Sequence, residues 1–278
     1  MNAMGIYLYC FARPGAARSL KATGVNGGAI TSLEHDDVAA VLGEVALEDF
    51  SGGSGRARTQ DPAWLIPRVC QHDAVIREVM ERSSVLPVRF GAVFASEQKM
   101  EGLLAQQGGE ISAFLDYVAD KEEWAVKGFV DLEKAGTWLL ETTPSLSEQR
   151  RRMASSPGAR YFQEKQLRAE VHRCLRLWRN GVAEQVHGEL KRLAEGACGL
   201  RLQEKEADGE MMFHCAFLVP KERLADLGGC VEQLRVRYDK QGLNLHAIGP
   251  WPPYSFCPGI GGMAHGDLAP PRSMKVGA

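Results

Sequence analysis

The 278-residue sequence predicts an α+β protein of two domains. Three observations carry that reading. Runs of β-branched and aromatic residues bounded by turn signals alternate with segments of helical periodicity. A polar stretch near the middle of the chain holds too few apolar residues for a core of its own, and the length suits two cores of ordinary size. With 45% hydrophobic residues, 24% charged residues and a formal net charge of −2, no global field draws in nucleic acid or an anionic membrane. No apolar run approaches the ~18 residues of a membrane span, and the N-terminus lacks the basic region of a signal peptide. A soluble, intracellular protein is expected. Seven cysteines without a C-x-x-C pair suit reduced, mostly buried thiols.

The N-terminal domain, residues 1–133, is expected to be a mixed sheet with helices on one face. "GIYLYCFA" (Gly5 to Ala12) is its first strand, stopped by the turn signal "RPG". "AITSLEHDDVAAVLGEV" supplies a hairpin around its polar centre. Asp61-Pro62 is a helix start, after which Leu65, Val69, His72, Ile76 and Val79 lie on one helical face. "VLPVRFGAVF" (Val85 to Phe94) alternates as a half-buried strand, with Pro87 arguing for an edge or a strand start. One or two short helices follow to Ala119. "EEWAVKGFVDL" then alternates again as the last strand of this sheet.

Residues 134–157, ending in "TTPSLSEQRRRMASSPG", are expected to be the interdomain linker. The C-terminal domain, residues 158–256, opens with a long helix whose apolar stripe includes Leu167, Val171, Cys174, Trp178 and Val182, with Gly181 and Gly188 as places for a bend. "GLRLQEKE" and "EMMFHCAFLVP" read as a hairpin around Asp208-Gly209. Leu224, Leu227, Val231, Leu234 and Tyr238 mark a helix that Gly242 terminates, and "LNLHAIGP" is the last strand. That order fits a small ferredoxin-like or split βαβ sheet with a long helix. Residues 257–278, rich in glycine and proline, are expected to be a flexible tail.

No P-loop, nucleophile elbow, H-E-x-x-H or paired-cysteine zinc spacing occurs, so no catalytic residue, cofactor or metal is expected. His72 lies on an apolar stripe, as a core histidine does. His214 and His246 could approach across neighbouring strands, but two histidines make a weak metal case. Arg89, Glu123, Lys127 and Asp131 would share one face of the first sheet if their strands lie together, as a solvated charged face or as a partner surface.

"GPWPPYSF" (Gly249 to Phe256) combines three prolines with three aromatics. Its prolines cannot continue an interior strand, and in polyproline II geometry Trp251 and Tyr254 project from one side, roughly 9 Å apart. This aromatic clamp either folds back to seal the edge of its own domain's core, the favoured reading, or docks a partner.

"HDAVIREVMERSSVLPVRFGAVF", "EEWAVKGFVD", "SSPGARYFQEKQ" and the terminal "GPWPPYSF" occur in that order and together resemble gas vesicle proteins of the F/L family over most of the chain. The resemblance implies a two-domain α+β fold with a ferredoxin-like C-terminal part. It also implies a cytoplasmic, non-enzymatic accessory protein needed to build gas vesicles, which give cells buoyancy. Its partners would be the small hydrophobic shell protein and other minor gas vesicle proteins, with no nucleic acid and no lipid membrane. The candidate partner-binding residues are Arg89, Glu123, Lys127, Asp131, Trp251 and Tyr254. The competing class is a small-ligand-binding regulatory protein or an enzyme on a ferredoxin-like scaffold.

Overall fold

The structure is a computed structural model that describes residues 3–50, 58, 60–153, 156–202 and 209–260. It divides into two compact units. The first is built from the chain up to Glu122 together with Trp251 onward, and the second runs from Glu123 to Pro250.

The first unit is built on β1 (Met4–Ala12), β2 (Ile30–His35), β3 (Val38–Ala46), β4 (Val85–Pro87) and β5 (Val93–Phe94), in the order β2-β3-β1-β4 with β5 also on β1. Every pairing in it is antiparallel, not mixed as expected. The β2–β3 hairpin turns at Asp36, whose φ of 50° is the left-handed conformation a tight hairpin needs. Helix α1 (Pro62–Met80) starts as its sequence dictates, with the Asp61 carboxylate accepting from the Ala63 amide at 3.0 Å. Its Val75, Ile76 and Val79 pack on Tyr7, Tyr9, Val41 and Val45.

One long helix, α2 (Glu97–Tyr117), replaces the expected short ones and contacts β1 through β4. Leu8, Phe11, Ala40 and Leu42 alternate away from the α1 side and are fully or almost fully buried. Helices therefore cover both faces of this sheet, not one. The expected strand Val85 to Phe94 is split into β4 and β5, because Gly91 takes φ 92° and turns the chain between them.

The second unit takes its first strand from a segment expected in the first. β6 (Lys121–Val130) lies inside a sheet of order β7-β8-β6-β9, with β7 (Gly196–Gly199), β8 (Glu210–Pro220) and β9 (Leu243–Trp251). Gly128 of β6 faces Phe213 of β8 and Leu245 of β9, so a Cβ there would crowd both. β7 begins ahead of the expected "GLRLQEKE" and pairs antiparallel with β8 from Gly196↔Leu218 to Gly199↔Cys215. The expected turn residue Asp208 lies outside the described residues.

The expected linker is helical. α3 (Leu132–Thr142) and α4 (Pro144–Arg151) occupy most of it, and Ala135, Leu139 and Leu146 join the second unit's core. Too few apolar residues for a separate core are still enough to contribute to a neighbouring one. α5 (Pro157–Lys191) runs unbroken through Gly181 and Gly188, burying Leu167, Leu175, Val182, Val186 and Leu190. α6 (Leu224–Tyr238) buries the expected Leu227, Val231, Leu234 and Tyr238. Of the expected tail, Cys257 to Ile260 are ordered parts of the first unit with Ile260 buried, and residues 261–278 lie outside the described residues.

Gly242 joins α6 to β9 with φ 81°, and its carbonyl accepts from the Asp131 amide at 2.9 Å. A Cβ on it would stand 2.8 Å from the Asp131 carbonyl oxygen. Gly242→Ala is therefore expected to destabilise the second unit by about 1–3 kcal/mol, the cost of a side chain in a left-handed and crowded position. Denaturant unfolding of the variant checks this, and an unchanged midpoint would contradict it.

Candidate functional site

The aromatic residues of β1 gather a buried polar network in the first unit. A register shift between Leu8 and Cys10 accommodates Tyr9 as an extra residue, so the adjacent Tyr9 and Cys10 both join Tyr7 on the α1 face. The His72 ring stacks on Tyr9 at 5.6 Å and meets Tyr7 and Phe90 edge-on. His72 Nε2 lies 3.0 Å from the Val88 carbonyl oxygen, which only accepts, so Nε2 carries the proton. Nδ1 consequently accepts from the Tyr7 hydroxyl at 2.9 Å, and that hydroxyl accepts from the Gly91 amide at 3.0 Å. The Val88 amide donates to the Tyr9 carbonyl at 3.0 Å, and the Tyr9 hydroxyl accepts from the Val25 amide at 2.9 Å. Two tyrosines and one histidine thus pin the backbone of "VRFG". Burial pushes the Tyr7 hydroxyl well above its usual pKa and lowers the His72 pKa to about 4. His72 is a core histidine, with two hydrogen bonds.

The terminal aromatic segment meets this same core. Gly249–Pro250 is a cis peptide, and β9 continues through it to Trp251 at the edge of its sheet. Tyr254 opens a single helical turn, Tyr254–Phe256, and packs against the cluster of Tyr7, Val75, Ile76 and Val79. Burial raises the pKa of its hydroxyl strongly, with Asp73, Cys10, Cys257 and Tyr7 close enough to add to the effect. The Arg77 guanidinium stands 4.9 Å from the Trp251 ring and is held by the Asp73 carboxylate at 2.5 Å. Tyr254 therefore packs on the core of the first unit rather than of the C-terminal domain, while Trp251, half-buried, meets Arg77.

The four charged candidates separate. Arg89 belongs to the pinned segment of the first unit, whereas Glu123, Lys127 and Asp131 belong to the second. They share no sheet face, because β6 pairs with β8 and β9. Glu123 and Lys127 are buried, and the Asp131 carboxylate caps α3 by accepting from the Glu133 and Lys134 amides, both at 3.0 Å. His214 and His246 are not on neighbouring strands, since β6 separates β8 from β9. His214 bonds the Arg201 carbonyl, while His246 stacks edge-on against Phe129. Among the described residues, no group of three or more His, Cys, Asp or Glu is placed to hold a metal ion, and no helix is long and apolar enough to cross a membrane.

Among the described residues, the most exposed aromatic rings lie outside the candidate sites that the sequence predicts. Tyr161 and Phe162, in the first turns of α5, are 65% and 67% exposed, with ring centroids 5.9 Å apart. Both fall off the apolar stripe through Leu167, Val171 and Leu175, and that displacement is the signal by which they can be found.

The fold is that of solved gas vesicle F proteins. The crystal structure of the protein from Anabaena sp. PCC7120 superposes with a TM-score of 0.69 at 20% identity, covering 91% of this chain and 98% of that one. The protein from Microcystis aeruginosa gives 0.62 at 19% identity, covering 91% and 99%. The family model "Gas vesicle synthesis protein GvpL/GvpF" matches residues 5–258, and the chain belongs to that family. Gas vesicle protein L of Streptomyces sp. (strain CB03234) is 27% identical over 94% of each chain, and gas vesicle protein L2 of Halobacterium salinarum is 24% identical over 92% of each.

Two outcomes follow from the geometry. The depressed His72 pKa means that the unfolded chain takes up a proton near pH 6.5 while the folded one resists until about 4. Stability is therefore full above pH 6.5 and falls as pH drops toward 4, by up to about 1.4 kcal/mol per pH unit. Denaturant melts at several pH values should show a shallower slope over that window for His72→Gln. Equal slopes would contradict the assignment. Separately, Tyr254→Ala should cost about 2–3 kcal/mol, somewhat under the loss for a fully enclosed large aromatic. Trp251→Ala, which removes a half-buried ring, should cost less, and the reverse ranking of the two midpoints would contradict this packing.

Proposed function

We propose that this chain is a non-enzymatic, cytoplasmic accessory protein of gas vesicle assembly, which binds the small hydrophobic shell protein and other minor vesicle proteins during nucleation. The observation that carries the reading is the family match, which spans both units. Physical reasoning supports it. A shell monomer destined for an extended wall has unpaired strand edges and apolar faces beforehand, and both invite aggregation. A protein with complementary apolar surface can hold such a monomer, and Tyr161 and Phe162 provide that surface. Arg89 and Trp251, each partly exposed, remain in the proposal as partner contacts. Glu123, Lys127, Asp131 and Tyr254 have the structural places described above.

The second unit is proposed to be ferredoxin-like. Its β-α-β-β-α-β course, counting α3 to α5 as the first helical layer, and its strand order support that reading.

Co-purification with each vesicle component in turn tests the role. The shell protein should be retained by the intact chain. Tyr161→Ser with Phe162→Ser should leave the melting transition within about 0.5 kcal/mol of the parent, since both rings are exposed, yet lose most of the captured shell protein. Undiminished capture would remove these rings from the proposal. Failure of the intact chain to retain any vesicle component would remove the role itself.

A further inference from the structure

A cleft of about 580 Å³ lies between α3 and α5 of the second unit. Its floor is apolar, with Gly136, Leu140, Val171 and Leu175, and Leu132 at its mouth is 40% exposed. Gly136 lets the α3 backbone form part of that floor without a side chain.

The α5 rim is cationic. Arg168, His172, Arg176 and Arg179 follow at steps of four, four and three, so they share one edge of the helix. The last three line the cleft directly, and Arg179 is paired with Glu210 at 2.6 Å. Elsewhere on α5 the arginines are neutralised by near neighbours, Arg160 by Glu164 and Arg173 by Glu170. Arg168 and Arg176 have no acidic partner among the described residues. The α3 rim instead carries Glu133. In a chain of net charge −2, an unneutralised basic edge beside an apolar floor is a local departure from the average.

We infer that this cleft binds an amphipathic helix of a protein partner, with its apolar face on the floor and an acidic edge over α5. Glu133 on the opposite rim sets the orientation, because it repels that acidic edge. α3 is 11 residues long, about 16 Å, so it matches an occupant of some three helical turns. Phosphate-rich partners would use the cations but leave the apolar floor without a role. This inference goes beyond the assembly role, since it assigns a second surface and the chemistry of what it takes, whichever vesicle component supplies the helix.

The test is fluorescence anisotropy of the full chain with a synthetic helical peptide of about 15 residues, leucine along one face and glutamate along the adjoining edge. Binding should saturate, weaken with added salt, and fall by about tenfold or more in Arg168→Glu with Arg176→Glu and in Leu132→Glu. All three side chains are exposed, and thermal melts confirm that the variants stay folded. The lysine version of the peptide and a scrambled acidic peptide should not bind. Binding of either as tightly as the designed peptide, unchanged binding in the variants, or equal binding of a single-stranded oligonucleotide would overturn the proposal. Because the probe is synthetic, shell-protein capture in the separate co-purification bears on the assembly role alone.

Discussion

The first unit depends on a contact between its earliest and latest residues. Tyr254 packs on a core made by β1 and α1, beside the Tyr7 that organises the Val88–Gly91 segment. The unit's core is therefore complete only when the last described residues are in place. In the sequence, residues 123–250, which form the second unit, separate the two segments of the first. An aromatic side chain against Val75, Ile76 and Val79 contributes on the scale of kcal/mol, a sizeable share of a domain's net stability. Pro252 and Pro253 stiffen the approach to that site, which lowers the entropy lost when the segment docks.

This constraint gives a physical reason for the motifs by which the family is recognised. "LPVRFG" is held through its backbone by Tyr7, Tyr9 and His72. "PPYSF" seals the same core. "EEWAVKGFVD" is an interior strand of the other sheet, with Gly128 admitting neighbours from both sides. Each of these three motifs thus has residues with a place in packing or in the backbone hydrogen bonds. The fourth, "SSPGARYFQEKQ", opens α5 and leaves Tyr161 and Phe162 in solvent, where packing offers no reason for two large rings.

Local structure was legible where periodicity and punctuation agree. The α1 start at Asp61-Pro62, the α6 stripe and its stop at Gly242, and the β2–β3 hairpin all stand where their residues place them. Sheet membership was not legible. Alternation in β6 shows that a strand has two unlike faces, but strand partners are set by tertiary contacts far along the chain. That misplacement moved Glu123, Lys127 and Asp131 to the wrong sheet and made α3 and α4 look like a linker. The packing of Tyr254 on a core was legible from its ring and the prolines before it, although which core it meets was not. The cleft on α5 was hidden because its cations come from one helix and its floor from two.

Hydrogen exchange on a chain ending at Pro250 tests the central dependence most directly. Without the residues from Trp251 onward, the amides of Val88 and Gly91 and those along α1 should exchange much faster than in the full chain, while β8 and α6 keep their protection. Equal protection of Val88, Gly91 and α1 in the shortened chain would show that the first core stands without its last residues, and would contradict this account.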